Sequence, residues 1–112
     1  MSMTISTESR CPVVIRRSAI HGRGLFANCT IAQETLIGCY DGPRTQRDGR
    51  YVLWIQEEDG TSYGVKGQNE FRFVNHSHTP NAVFRGEELY ALRMIEPDEE
   101  ITVHYGEDWT DM

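Results

Sequence analysis

Apolar residues along this chain fall in short groups rather than long stripes. Groups of this length, rich in β-branched and aromatic residues and bounded by turn residues, predict strands. After a first apolar run, Val13-Val14-Ile15, the predicted strands are Leu36 to Tyr40, Tyr51 to Ile55, Val83-Phe84, Leu89 to Met94 and Glu100 to Tyr105, separated by turn signals such as Asp41-Gly42-Pro43, Asp48-Gly49, Asp59-Gly60 and Pro97-Asp98. No window holds a sustained apolar stripe at the 3.6-residue helical period. Only Asn69 to Asn75, with Phe71, Phe73 and Val74, predicts a short turn of helix. There is no repeat and no low-complexity tract. Met1 to Arg10 is polar, with little to bury, and reads as a flexible leader (residues 1–10) ahead of a single domain spanning 11–112. The expected fold class is mostly β, with several small antiparallel sheets packed around one site.

Length and charge narrow the picture. A chain of 112 residues suits one core. Seventeen acidic residues against eleven basic ones give a net charge of −6, which disfavours a phosphate-tracking surface and direct nucleic-acid binding, and favours a cationic partner. The acidic clusters at Glu57-Glu58-Asp59, Glu87-Glu88, Glu96 to Glu100 and Glu107-Asp108 read first as solvated faces. Cys11, Cys29 and Cys39 are odd in number and widely spaced, so neither a disulfide framework nor a structural zinc site is expected and a reducing interior fits best. No apolar run approaches the roughly 20 residues that span a bilayer, so a cytoplasmic protein is expected, or a nuclear one in a host with a nucleus.

Three stretches carry candidate chemistry. Gly22-Arg23-Gly24 lets backbone approach a ligand closely, although an isolated Gly-x-Gly is more often a turn or bulge. Arg72-Phe73-Val74-Asn75-His76-Ser77-His78-Thr79-Pro80-Asn81 is a dense polar cluster stopped by a proline. It reads either as an Asx-rich turn or as a metal site, and His76 with His78 supplies only two ligands, so no metal is expected. Glu100 to Tyr105 is an alternating strand ending in tyrosine. His104 and Tyr105 are neighbours on it and should face opposite ways, which leaves His104 without a role.

In this order and spacing, Gly22-Arg23-Gly24, Asn75-His76-Ser77 and Glu100 to Gly106 resemble the SET-domain family of protein lysine methyltransferases. Leu36 to Gly42 is similar to the family's Tyr-x-Gly strand, and Asn69 to Phe73 leads into Asn-His-Ser as the family's segment does. The likeness covers Ile15 to about Trp109. It departs from the pattern at Cys39, where the family often has Glu, at Gln68, where it has Gly, and at His104, where it has Asp. It also lacks the cysteine-rich, zinc-binding flanks of many eukaryotic members, as small stand-alone viral and bacterial members do.

The resemblance implies a SET-type β-clip fold with a knot-like C-terminal segment, and transfer of methyl from S-adenosylmethionine to a lysine on a basic protein tail, histone or histone-like. It implies Tyr105 as the catalytic tyrosine, with Tyr40, Phe84, Val103 and Tyr105 lining the lysine channel. Gly22, Arg23, Gly24, Arg72, Asn75, His76 and Trp109 become the cofactor contacts, Asn75 at the methionine end and His76 through its backbone near adenine. A homodimer, as small viral members form, is implied as well. Phe84 and Val103 have no hydroxyl to anchor a water in the channel, so addition of more than one methyl is expected. The rival readings are a non-catalytic SET-like module that binds the cofactor or a basic peptide, and a small β-rich structural protein.

Overall fold

The computed structural model describes residues 13–105. Ten strands and one 3-10 turn form three small sheets. In the first, β1 (Val13–Arg17) and β2 (Arg23–Ala27) make an antiparallel hairpin, with Val13 opposite Ala27 and Arg17 opposite Arg23. Ser18 closes it: its amide donates to the Gly22 carbonyl at 2.7 Å, and its hydroxyl accepts the Ile20 amide at 2.8 Å. Gly22 sits at φ +48°, a left-handed conformation that favours glycine.

β10 (Glu100–Val103) lies on the other side of β2, antiparallel to it, with Ile101 opposite Leu25. Its far edge pairs in parallel with β7 (Asn75–His76), placing Thr102 opposite Asn75 and Val103 opposite His76. The sheet therefore reads β1-β2-β10-β7, with the last strand of the described chain inside it. This parallel pair departs from the antiparallel pattern expected throughout.

β3 (Leu36–Cys39), β9 (Glu88–Ala91) and β8 (Ala82–Arg85) form the second sheet in the order β3-β9-β8. The third has β6 (Ser62–Lys66) between β4 (Arg44–Thr45) and β5 (Val52–Gln56). Glu70–Phe73 is the 3-10 turn, within the segment where sequence predicted one.

All three sheets contribute to one core. Leu25 and Ile101 come from the first, Ile37, Leu89 and Ala91 from the second, and Ile55 and Val65 from the third; Phe71 enters from the 3-10 turn. Burying aliphatic side chains of this size is worth about 1.5–3 kcal/mol each, which is what pins such short strands together. β10 packs on β8, and β2 on the 3-10 turn, so these two carriers of site residues rest on other elements of the fold. The expectations for residues 1–12 and for the knot-like segment beyond Tyr105 lie outside the described residues. Among those described, no helix is long and apolar enough to cross a membrane.

Candidate active site

The parallel contact between β7 and β10 brings the three stretches together. Asn75 is buried, and its side-chain amide donates to the carbonyls of His21 and Arg23, each at 3.1 Å, and to Glu100 Oε2 at 2.9 Å. One side chain thus ties the glycine loop, the middle segment and the C-terminal strand. Asn81 makes a second tie: its amide donates to the Glu100 carbonyl at 2.8 Å, and its Oδ1 accepts the Thr102 amide at 2.9 Å. Asn81 is 2% exposed, so water does not replace these bonds.

Glu100 was given no role from sequence, yet it is the charge at the centre of this junction. Both its oxygens accept the Ser18 hydroxyl at 2.8 Å, besides the Asn75 amide. A Cβ on Gly24 would overlap Glu100 Oε2. Gly24 is therefore small because a carboxylate fills the space beside it, whereas Gly22 faces nothing within 4 Å and leaves its side of the loop open. A cleft of about 460 Å³ opens there, lined by Arg17, Ser18, Gly22 and Arg23. The sequence signal for Glu100 was its place at the start of the Glu100 to Gly106 segment, five residues before Tyr105.

Tyr105 turns its hydroxyl inward and donates to the Val74 carbonyl at 2.7 Å, while its amide donates to His76 Nδ1 at 2.9 Å. The phenol therefore stands next to the Asn75 segment rather than across the molecule from it. Although the residue is 44% exposed, its hydroxyl end is enclosed, and burial together with the charge of Glu100 raises its pKa. Tyr40 is buried and donates to the Tyr51 carbonyl at 2.6 Å. Burial, reinforced by the neighbouring Tyr105 phenol, pushes it up to about 12. Phe84 packs edge-on against Tyr40 at 5.6 Å between ring centres, and Val103 is buried, paired beside His76 of β7. Gly67 accommodates Tyr40, since a Cβ there would stand 2.6 Å from the hydroxyl.

Other predicted residues sit differently. Arg72 spends its guanidinium on the Gln68 and Asn69 carbonyls, both at 2.9 Å, and lies over the Phe73 ring at 4.4 Å, so it braces the 3-10 turn. Arg23 is exposed at the cleft. Trp109 lies outside the described residues. The separation expected between His104 and Tyr105 does not occur: both rings contact His76, at 4.7 and 5.2 Å. β10 ends at Val103, so the alternation of faces no longer applies beyond it. A larger cleft of about 680 Å³, lined by residues such as Arg44, Glu57, Asp59 and Tyr63 of the third sheet, shares no residue with this site.

Fold and site define a class: a small β-rich domain in which a central C-terminal strand gathers a glycine loop, an amide-anchored turn and a tyrosine at one junction. The SET domain profile matches residues 22–106, and the chain belongs to the SET-domain family. It is 34% identical over 116 residues to a histone-lysine N-methyltransferase, H3 lysine-4 specific, of Emericella nidulans, covering 84% of this chain and 10% of that protein. The Candida albicans protein of the same description is 31% identical over 127 residues, 94% of this chain and 12% of its own length. The Arabidopsis thaliana histone-lysine N-methyltransferase MEDEA is 28% identical over 128 residues, 93% of this chain and 18% of its own length. The chain thus spans only a small part of these relatives. A Plasmodium falciparum histone methyltransferase candidate has a crystal structure that superimposes with a TM-score of 0.68 at 21% identity, over 88% of this chain and 96% of that one.

Proposed function

We propose that this protein is a protein-lysine N-methyltransferase acting on a basic protein or peptide. S-adenosylmethionine fits the site as methyl donor: the Glu100 carboxylate and the carbonyls of His21 and Arg23, gathered by the donating Asn75 amide, form an acceptor-rich wall suited to an ammonium and a sulfonium, beside the open face of Gly22. When bound, it supplies an electrophilic methyl. The chain's own residues then align and dehydrate the lysine amine that attacks it, with no covalent intermediate on the protein.

Tyr105 acts here as an acceptor. Its proton is committed to the Val74 carbonyl, so the phenol oxygen offers lone pairs to the amine N–H and to the polarised methyl C–H groups. Its raised pKa, like that of Tyr40, keeps it protonated near neutral pH and rules it out as a phenolate base. The substrate amine must therefore reach the channel neutral. From a reference pKa of about 10.4 that costs roughly 4–5 kcal/mol at pH 7, and a dry channel walled by Tyr40, Phe84, Val103 and Tyr105 reduces the cost by disfavouring the ammonium.

The observation that carries this reading is the double anchorage of the Asn75 segment, to the glycine loop through its amide and to the Tyr105 hydroxyl through Val74. Mass spectrometry of histones and bacterial histone-like proteins incubated with S-adenosylmethionine tests it. Methyl-lysine is expected with the parent chain and a drop of about 100-fold or more with Tyr105→Phe, cofactor binding being largely kept. Cofactor binding without any methyl transfer would instead support a non-catalytic module. Because Phe84 and Val103 carry no hydroxyl, di- or trimethyl-lysine is expected under excess cofactor; a time course halting at monomethyl-lysine refutes that part. The net charge of −6 suits a Lys/Arg-rich tail, histone or histone-like, added as an extra strand at a sheet edge. A second copy of the chain completing the groove belongs to the same reading, as does nuclear action in a eukaryotic host and cytoplasmic action elsewhere; light scattering tests the dimer.

A further inference from the structure

We propose that His76, His78 and His104 form a binding site for one zinc-type divalent transition-metal ion, separate in chemistry from methyl transfer. Sequence alone offered His76 and His78, two ligands. Folding adds a third, because the parallel register of Val103 opposite His76 sets His104, one residue past β10, against them. The ring centres of His76–His78, His76–His104 and His78–His104 stand 4.7, 4.7 and 5.4 Å apart. One ligand nitrogen from each lies within 4.8 Å of the other two.

Three imidazoles on a tetrahedral zinc at about 2.0–2.1 Å have nitrogens about 3.4 Å apart and ring centres about 5 Å apart. The rings are already at the second spacing, so closure needs turning rather than travel. His78 and His104 are exposed, and their side-chain torsions supply the turn without moving a strand. Three neutral nitrogen donors select zinc, cobalt, nickel or copper and offer calcium and magnesium little, while a fourth position stays open for water.

The His76 Nδ1 lone pair accepts the Tyr105 amide, which places the imidazole proton on Nε2. A metal on Nε2 displaces that proton to Nδ1, and a metal on Nδ1 takes the lone pair itself. Either way the Tyr105 amide loses this acceptor, which lowers metal affinity by about tenfold, the worth of one neutral hydrogen bond. Metal occupancy and this one backbone anchorage of Tyr105 therefore exclude one another.

The test uses the full chain, stripped with a chelator, titrated with zinc by calorimetry and with cobalt(II) by visible absorption. One ion per chain, with the intense visible bands of tetrahedral cobalt, is expected. His78→Ala and His104→Ala should each weaken binding tenfold or more, and the triple variant C11S/C29S/C39S should leave it unchanged. Melting curves of the metal-free histidine variants, matching the parent, would exclude misfolding. Absence of saturable one-to-one binding, binding insensitive to both histidine variants, or binding lost with the cysteines would overturn the proposal. Metal affinity is read without substrate, so failure here leaves the methyltransferase reading intact.

Discussion

Replacing Glu100 by glutamine keeps the side chain's shape and removes its charge at the point where three segments meet. The carboxylate accepts the Ser18 hydroxyl on both oxygens at 2.8 Å and the Asn75 amide at 2.9 Å. Hydrogen bonds to a charged group are worth about 1.5–3 kcal/mol each. With its amide oxygen in the Oε2 place, glutamine keeps both partners but only as neutral bonds, giving up the charge-assisted part of each. With the group half-buried, a loss of about 2 kcal/mol in folding stability is expected. Asn75 also holds the His21 and Arg23 carbonyls, so loosening it should weaken S-adenosylmethionine binding by about tenfold, equivalent to about 1.4 kcal/mol. Urea unfolding and calorimetric cofactor titration measure the two effects. The combination with Asn75→Ala supplies the decisive comparison: residues in one network should show a coupling of at least about 0.5–1 kcal/mol. If Glu100→Gln changes neither stability nor affinity, or if the two substitutions simply add, Glu100 does not organise the junction.

Two further outcomes follow from the same geometry. Gly24→Ala drives a methyl into Glu100 Oε2 and within 3.0 Å of Ser18 Cβ, forcing the carboxylate off its partners, at a cost of about 2 kcal/mol. In an Glu100→Ala background the same change should cost far less, and an equal cost in both, measured by urea unfolding, refutes the assignment of the clash. Tyr40, with a folded-state pKa of about 12 against an ordinary value of 10, binds its proton more tightly folded than unfolded. Its contribution is complete below pH 10 and lost as pH rises towards 12, about 2 kcal/mol over that window. Stability against pH should therefore fall less steeply between pH 10 and 12 in Tyr40→Phe; parallel curves would refute the buried phenol as the cause.

Strands carried by apolar runs were readable from the residues: Val13-Val14-Ile15 lies in β1, Val83-Phe84 in β8, and most of Tyr51 to Ile55 in β5. β6 was missed because Gly64 interrupts its pattern. That glycine answers to strands on both sides, since a Cβ there would meet Val52 Cγ1 at 2.8 Å and the Thr45 carbonyl at 3.1 Å, and neither neighbour is local in sequence. Gly22 to Gly24 read on its residues as a turn; its first residue is one, and the rest begins β2. For the site, motif spacing marked Tyr105 and Asn75, which the fold brings to one junction, and it included Glu100 but gave it no role, because that role comes from Ser18 and Asn75 arriving beside it. His104 was also set apart from Tyr105, because strand alternation was carried two residues past where the ladder stops.

β10 has a consequence for how the molecule comes into being. An interior strand drawn from residues 100–103 means that β2, already paired with β1, lacks its second neighbour and β7 lacks its sheet neighbour until those residues have been made. Contacts so distant along the polymer are entropically late, so folding should be governed by this one insertion. A chain still emerging from the ribosome carries the glycine loop and the Asn75 turn as unjoined pieces until residues 100–103 arrive to unite them.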